Sequence, residues 1–399
     1  MMETVLNEES VVQLLADLVK IKSPYFEEDE VMAYANEWLN ANEVPSYIFE
    51  YDEDKITHFH GKNVVATLKG RSPGLKICFN GHLDTVNLCE GWTKNPWGER
   101  DGDRFYGLGT VDMTGGVVAE MLAMKAFKKK YGSNFSGEVI GTFVSDEEGP
   151  FGLGTDAIIN SGLLDGTDVS ICCEPNAPFC NAEFPSVSFG CHGLYAISVE
   201  LTGISAHASR PWEGVNAIED ASKIIIALEQ TEFRSHPKMG KSVCCVLGIE
   251  NEIEPASVPS FARLRLLRHT VPGDTRETMR EEVEDAIKRA NIKSTWKIAF
   301  REAPSIETSG FLAYAVDEDS HFSNLLLDCT KKICGVEPSR TYFGGCTDCC
   351  YLVTRLNGAP AYLIGPTGAG FHGIDEYVTI SSVLATAKIL FRFLEESLL

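Results

Sequence analysis

Four short apolar runs constrain this chain most: Leu75–Asn80 (LKICFN), Glu138–Ser145 (EVIGTFVS), Val169–Cys173 (VSICC) and Ala361–Ile364 (AYLI). Each has the length of a strand, and Asn63–Leu68 adds a fifth. Helical stretches lie between and around them. Ser10–Lys22 carries Val11, Leu14, Leu15 and Leu18 at helical spacing and stops at Pro24. Further helices are predicted over Glu28–Asn42, Gly115–Lys130, Asp156–Ser161, Ser320–Cys334, Asp348–Leu356 and Ser381–Leu398. Apolar strands alternating with helices predict an α/β class: a mixed, mostly parallel sheet flanked by helices.

The middle of the chain has another pattern. Leu194–Thr202 alternates like a half-exposed antiparallel strand, followed by a helix at Asn216–Glu229, strands at Ser242–Ile249 and Phe261–His269, a helix at Thr275–Ala290 and a strand at Ser294–Arg301. The order β-α-β-β-α-β is that of a ferredoxin-like α+β domain. The expected organisation is therefore a discontinuous α/β domain, residues 1–187 and 304–399, with a smaller α+β domain at 188–303 inserted into it.

With 399 residues, 44% of them hydrophobic, the chain can bury sizeable cores. The charge sum is 35 − 57 = −22, which argues against nucleic acid as a partner. No stretch approaches the ~18–20 apolar residues that span a bilayer. The beginning MMETVLNEESVVQLL shows no secretory signal, and the 13 cysteines fit a reducing compartment, so the expectation is a cytoplasmic protein with no membrane partner. Cys346 and Cys349 have C-x-x-C spacing, but no second such pair accompanies them, so a redox or zinc-ribbon role is the minor reading.

Polar residues with chemistry cluster where the strands end. His82 and Asp84 follow Leu75–Asn80, and their two-residue spacing puts both on one face of an extended chain. Asp112 stands in the glycine-rich turn that opens the helix at Gly115; as an isolated residue it reads as a helix cap. Glu138–Ser145 runs into Asp146-Glu147-Glu148, Val169–Cys173 into Glu174, and Ala361–Ile364 into a glycine-rich loop with His372. Open α/β sheets place their sites beyond the carboxyl ends of the strands. Histidines with carboxylates and no thiolate suit zinc, cobalt or manganese.

The ordered set HLDTV, GLGTVDMTGG, SDEEG, CEPN, GISAHASRPWEGVNAI, GGCTD and GFHGIDEYV resembles the di-zinc amidohydrolase family. That family contains aminoacylase, acetylornithine deacetylase, succinyl-diaminopimelate desuccinylase, carboxypeptidase G and related dipeptidases. The resemblance implies a zinc-peptidase-like fold whose inserted domain is a lid and a dimerisation surface. It implies two divalent ions, zinc first and cobalt or manganese as alternatives. Asp112 would bridge them, with His82 and Glu174 on one, and Glu148 and His372 on the other. Glu147 would be the general base and acid, Asp84 would hold and tune His82, and His207 in the lid would polarise the scissile carbonyl from its own or the partner subunit.

The implied reaction is hydrolysis of the amide bond of an N-acyl amino acid, with dipeptidase or carboxypeptidase action as the alternative. A non-catalytic binding protein that keeps the metal is the rival reading, and the presence of Glu147 argues against it. Departures from the family pattern flank Asp112, where Leu108 and Thr114 stand in place of the common Arg of Gly-Arg-Gly and a Lys, and others fall on substrate contacts. Leu267-Arg268-His269 stands where an Asp-x-Arg commonly precedes the Pro-Gly turn, so His269 or Arg268 is expected to grip a substrate carboxylate, with Arg268 as a solvated charge the plainer reading. Thr347 in GGCTD is a third candidate contact.

Overall fold

The computed structural model describes residues 5–252 and 255–399. It divides into two units, one running to Cys191 and resuming at Ala315, the other His192–Tyr314.

The larger unit is built on one sheet. Its strands lie in the order Ser46–Glu53, Phe59–Lys69, Ser136–Val144, Ser72–His82, Val169–Cys172, Ala361–Leu363 and Ser186–Cys191, and Ser339–Phe343 pairs with the last of these. Ser72–His82 is parallel to both neighbours, with His82 opposite Val144 and Asn80 opposite Cys172. Ala361–Leu363 is parallel to Val169–Cys172. The Ser46–Glu53 and Phe59–Lys69 strands run antiparallel at one edge.

Side chains alternate across this sheet. Ile77 and Phe79 enter the main apolar core, where helices Glu8–Val19, Gly115–Tyr131 and Ile380–Leu398 pack together. Asn80 points the other way: its Nδ2 donates to Thr142 and to Thr155 of helix Leu153–Asn160, both at 3.1 Å. Asn63 joins that layer, donating to the Gly154 carbonyl at 2.9 Å and accepting from the Ser145 amide at 3.1 Å. The polar layer lies directly behind the strand ends and fixes their spacing, because each of these buried groups is costly to leave unpaired.

Helix Gly115–Tyr131 is buried on nearly every side and starts against a strand end. A Cβ on Gly116 would come within 2.1 Å of the Cys173 carbonyl, so only glycine permits the approach. The helix also buries Glu120, whose Oε1 accepts the Cys173 amide at 3.2 Å. Burial pushes this carboxyl up to about 8 from 4.5. A folded-state value raised above the unfolded one means that stability is lost as pH climbs from 4.5 towards 8. Glu120→Gln, which mimics the protonated form, should therefore gain on the wild type by about 2 kcal/mol between pH 6 and 8. Denaturant unfolding at the two values checks this, and a constant difference would refute it.

In the smaller unit Gly193–Thr202, Phe261–Thr270, Val243–Glu250 and Thr295–Phe300 form an antiparallel sheet in the order Val243–Glu250, Phe261–Thr270, Gly193–Thr202, Thr295–Phe300. Helices Ala217–Glu229 and Arg276–Ala290 cover one face through Ile224, Leu228, Met279 and Val283 against Ile197, Val199, Leu264 and Leu266. Asn216 and Thr275 cap these helices with side-chain oxygens on the first-turn amides. The boundaries fall later than the expected 188 and 304. Ser186–Cys191 belongs to the larger sheet, whereas Gly310–Phe311 still pairs with Gly193–Thr202. Among the described residues, no helix is long and apolar enough to cross a membrane.

Candidate metal centre

Three parallel strand ends bring the first ligand candidates together. His82 ends Ser72–His82, the acidic loop Asp146–Glu148 follows Ser136–Val144, and Glu174 follows Val169–Cys172. The imidazole of His82 is 1% exposed. Its Nδ1 meets the Asp84 carbonyl at 2.9 Å, which fixes the proton on Nδ1 and turns the Nε2 lone pair outward. That Nε2 is buried and has no hydrogen-bond partner among the described residues. It faces Asp112 Oδ1 at 3.6 Å, Glu174 Oε1 at 3.8 Å and Glu147 Oε2 at 3.9 Å.

These separations are too long for hydrogen bonds. They are close to what a cation between the atoms requires, since two ligands each ~2.1 Å from a tetrahedral ion lie about 3.4 Å apart. On the other side of Asp112, its Oδ2 lies 3.4 Å from His372 Nε2, which is itself 3.0 Å from Glu148 Oε1. Two groups with ligand atoms within 4.8 Å of one another result: His82, Glu147 and Glu174, and His82, Asp112 and Glu148. The residues present thus fit divalent cations, on the strength of the orphaned His82 nitrogen and its ring of carboxylates. None of these groups contains a cysteine among the described residues, and all 13 cysteines, Cys346 and Cys349 included, are free thiols.

Without a cation the charges perturb one another. Burial raises the Glu147 carboxyl well above the usual range, with Asp348, Glu148 and Asp112 adding to it, and Glu174 rises through burial and the nearby Asp112. Asp112 and Glu148 hold the His372 ring up at about 10. Burial opposes a charge on His82, but Asp112, Asp84, Glu147 and Glu174 outweigh it and push the ring well up.

Asp84 does more than hold His82. Its carboxylate accepts the amides of Glu147 at 3.2 Å and Glu148 at 2.9 Å and so fixes the acidic loop, while its own carbonyl orients the imidazole. Asp112 is not a helix cap: it lies in the Thr110–Thr114 turn, and Thr114 at the start of the following helix makes no side-chain capping bond.

A model of peptidase family M20/M25/M40 matches residues 78–396. The chain belongs to that family. The M20 match makes it a member of a hydrolase family. Similar proteins include a succinyl-diaminopimelate desuccinylase of Sulfurovum sp., 24% identical over 343 residues that cover 85% of this chain and 86% of the relative. Carboxypeptidase G2 of Pseudomonas sp. is 27% identical over 380 residues, 94% of this chain and 86% of the relative. Among solved structures, aminopeptidase PepT from Bacillus cereus shares the fold with a TM-score of 0.79 at 17% identity, covering 98% of this chain and 99% of that one. Human carnosine dipeptidase 1 shares it with a TM-score of 0.72 at 16% identity, covering 99% and 98%.

The expected substrate contacts of this M20 chain fare differently from the ligand set. His207 is exposed on the smaller unit, and its Nδ1 accepts from the Ser209 amide at 3.1 Å and lies 2.8 Å from the Ser209 hydroxyl. An accepting Nδ1 leaves the proton of the neutral ring on Nε2. Arg268 is neither solvated nor open: it is fully buried, paired with Glu282 at 2.6 Å and stacked over Phe233 at 4.0 Å. Strand alternation explains this, because Arg268 shares the helix-covered face with Leu264 and Leu266. His269 is on the opposite face, and partial burial together with His192 lowers its proton affinity, so it is a poor replacement for an arginine. Thr347 is buried, and its hydroxyl is used within the chain, accepting the Cys349 amide at 3.2 Å.

One buried residue was not singled out from the sequence. Glu376, 1% exposed, accepts the amides of Gly109 at 2.8 Å, Val111 at 2.9 Å and Asp112 at 3.2 Å. It clamps the turn that aims the Asp112 carboxylate. Its presence inside the GFHGIDEYV motif was the available signal, but a role exercised through backbone amides leaves no ligand-type spacing. Glu376→Gln should lower divalent-ion affinity by 10–100-fold, the usual effect of losing an outer partner, while the chain still folds cooperatively. Competition with a metal-sensing dye measures the affinity, and an unchanged value would release Glu376 from this role.

Proposed function

We propose that this M20 chain hydrolyses the amide bond of an N-acyl amino acid, holding two divalent ions at the strand ends. The observation that carries the reading is Asp112, one carboxylate oxygen 3.6 Å from His82 Nε2 and the other 3.4 Å from His372 Nε2. A carboxylate so placed would serve two cations. His82 and Glu174 would hold the first with it, Glu148 and His372 the second, and zinc is the metal that best suits these donors. Bound there, such ions supply Lewis acidity and bring the pKa of water to about 7.

The chain's own residues do the rest. Glu147, its proton affinity raised by burial, takes the proton of the attacking water and returns it to the leaving amine. Asp84 keeps Glu147 and Glu148 in place through their amides. His207 presents Nε2–H as a donor for the carbonyl oxygen as negative charge develops there. Relatives named desuccinylase support deacylation, and the relative named carboxypeptidase G2 supports the peptidase alternative.

We also place a homodimer contact on the edge strand Val243–Glu250 of the smaller sheet, where Val243 and Leu247 are 55% and 60% exposed. An apolar edge with no second partner strand among the described residues invites a strand from another chain. Hydrolysis of N-acetyl, N-succinyl and N-carbamoyl amino acids and of dipeptides by the zinc- and cobalt-loaded protein tests the function. Inactive His207→Ala and Glu147→Ala chains, mixed in equal amounts under conditions of subunit exchange, should regain about a quarter of the activity if His207 serves the partner's site, because half of the dimers are then hybrids with one working site of two. No recovery would assign His207 to its own chain.

A further inference from the structure

Three segments that lead into or out of the metal centre each carry a phenylalanine, and the three rings meet. Phe179 closes the short helix Asn176–Phe179 just beyond Glu174, Phe343 ends strand Ser339–Phe343 ahead of Gly344–Asp348, and Phe371 directly precedes His372. The Phe179 ring stacks on Phe343 at 4.0 Å with 20° between planes, and on Phe371 at 5.8 Å with 27°. Gly345 lies flat against the stack: a Cβ there would come within 3.1 Å of Phe343 and 3.2 Å of Phe179.

A stack made only for packing would be closed. Here Phe343 is 5% exposed but Phe179 is 39% exposed, and Ile374, two residues beyond His372, is 48% exposed. Apolar surface left open beside reactive groups is where a ligand gains most from burial. The charges point the same way. Asp112, Glu147, Glu148 and Glu174 would already balance the charge of two divalent ions held at the centre, which leaves no surplus positive charge to draw in a second carboxylate of a substrate. Arg268, the cation expected to offset it, is buried and committed to Glu282.

We propose that the Phe179–Phe343–Phe371 stack receives an aromatic group of the substrate, which makes this chain an amidohydrolase of N-acyl or peptide amides bearing an aromatic group rather than of succinylated ones. This rests on the hydrolase reading above.

The test compares N-acetyl-L-phenylalanine and N-benzoyl-L-alanine with N-acetyl-L-alanine and N-succinyl-L-alanine. At least one aromatic substrate should exceed N-acetyl-L-alanine in kcat/KM by about ten-fold or more, and the succinyl compound should be the poorest. Phe179→Ala should raise KM for the aromatic substrate about ten-fold, a loss about five-fold or more greater than the one it causes for N-acetyl-L-alanine. Equal losses on all substrates, or a preference for the succinyl compound, would overturn the proposal. Calorimetric binding of the same compounds to the metal-loaded Glu147→Gln chain, with and without Phe179→Ala, separates this inference from the function. Aromatic-selective binding that needs Phe179, in a protein that cleaves no amide, would refute the hydrolase and keep the aromatic contact. Hydrolysis without aromatic selectivity would do the reverse.

Discussion

Replacing Glu147 with Gln should lower kcat by about 10³–10⁴ while both ions stay bound. Its Oε2 is 3.9 Å from His82 Nε2, the longest of the three approaches to that nitrogen, and its amide is pinned by Asp84. Burial and the neighbouring Asp348, Glu148 and Asp112 raise its proton affinity, which suits a group that takes a proton and gives it back. Geometry also allows a competing role, because Glu147, His82 and Glu174 have ligand atoms within 4.8 Å of one another. The two roles differ in one observable. A proton shuttle leaves metal content unchanged, whereas a ligand takes an ion with it when neutralised. Metal analysis and kcat on the same Glu147→Gln preparation decide between them, and near wild-type kcat would remove Glu147 from the chemistry.

Asp112→Ala should abolish activity by emptying both positions, a larger effect than any other single ligand change. Its two oxygens face different histidines, and three backbone amides held by Glu376 aim the turn that carries it. Glu148→Gln and His372→Ala, by contrast, each touch one side only and should weaken one ion. Equilibrium dialysis against zinc, followed by metal analysis, reads the difference. An Asp112→Ala chain that still binds two ions would show that the carboxylate does not bridge.

The parallel core and most of the candidate ligand set were legible because His82, Glu147, Glu148, Glu174 and His372 end or follow apolar strands, and strand ends converge in space. Asp112 stands in a turn that opens a helix and joined the candidate set only through the resemblance; the structure brings its carboxylate between His82 and His372. Ser46–Glu53 was not legible: it is an edge strand, rich in acids and largely solvated, so neither apolarity nor clean alternation marks it. Ser339–Phe343, pairing at the other side of the sheet, is half-exposed and hidden for the same reason. Arg268 was misjudged because its face depends on strand register. A one-residue shift separates the helix-covered row from the open one, and composition does not reveal it. Glu376 acts on backbone amides, a function that any buried carboxylate can perform and that leaves no pattern in the sequence; the spacing of Asp84 to His82 was visible, but its hold on the amides of the acidic loop was hidden in the same way.

The most direct test is an anomalous-scattering map of crystals of the zinc-loaded chain, collected at the zinc edge. The expected result is two peaks per chain on opposite sides of the Asp112 carboxylate, one against His82 and Glu174, the other against Glu148 and His372. A single peak, or zinc seated away from Asp112, would contradict the two-ion centre.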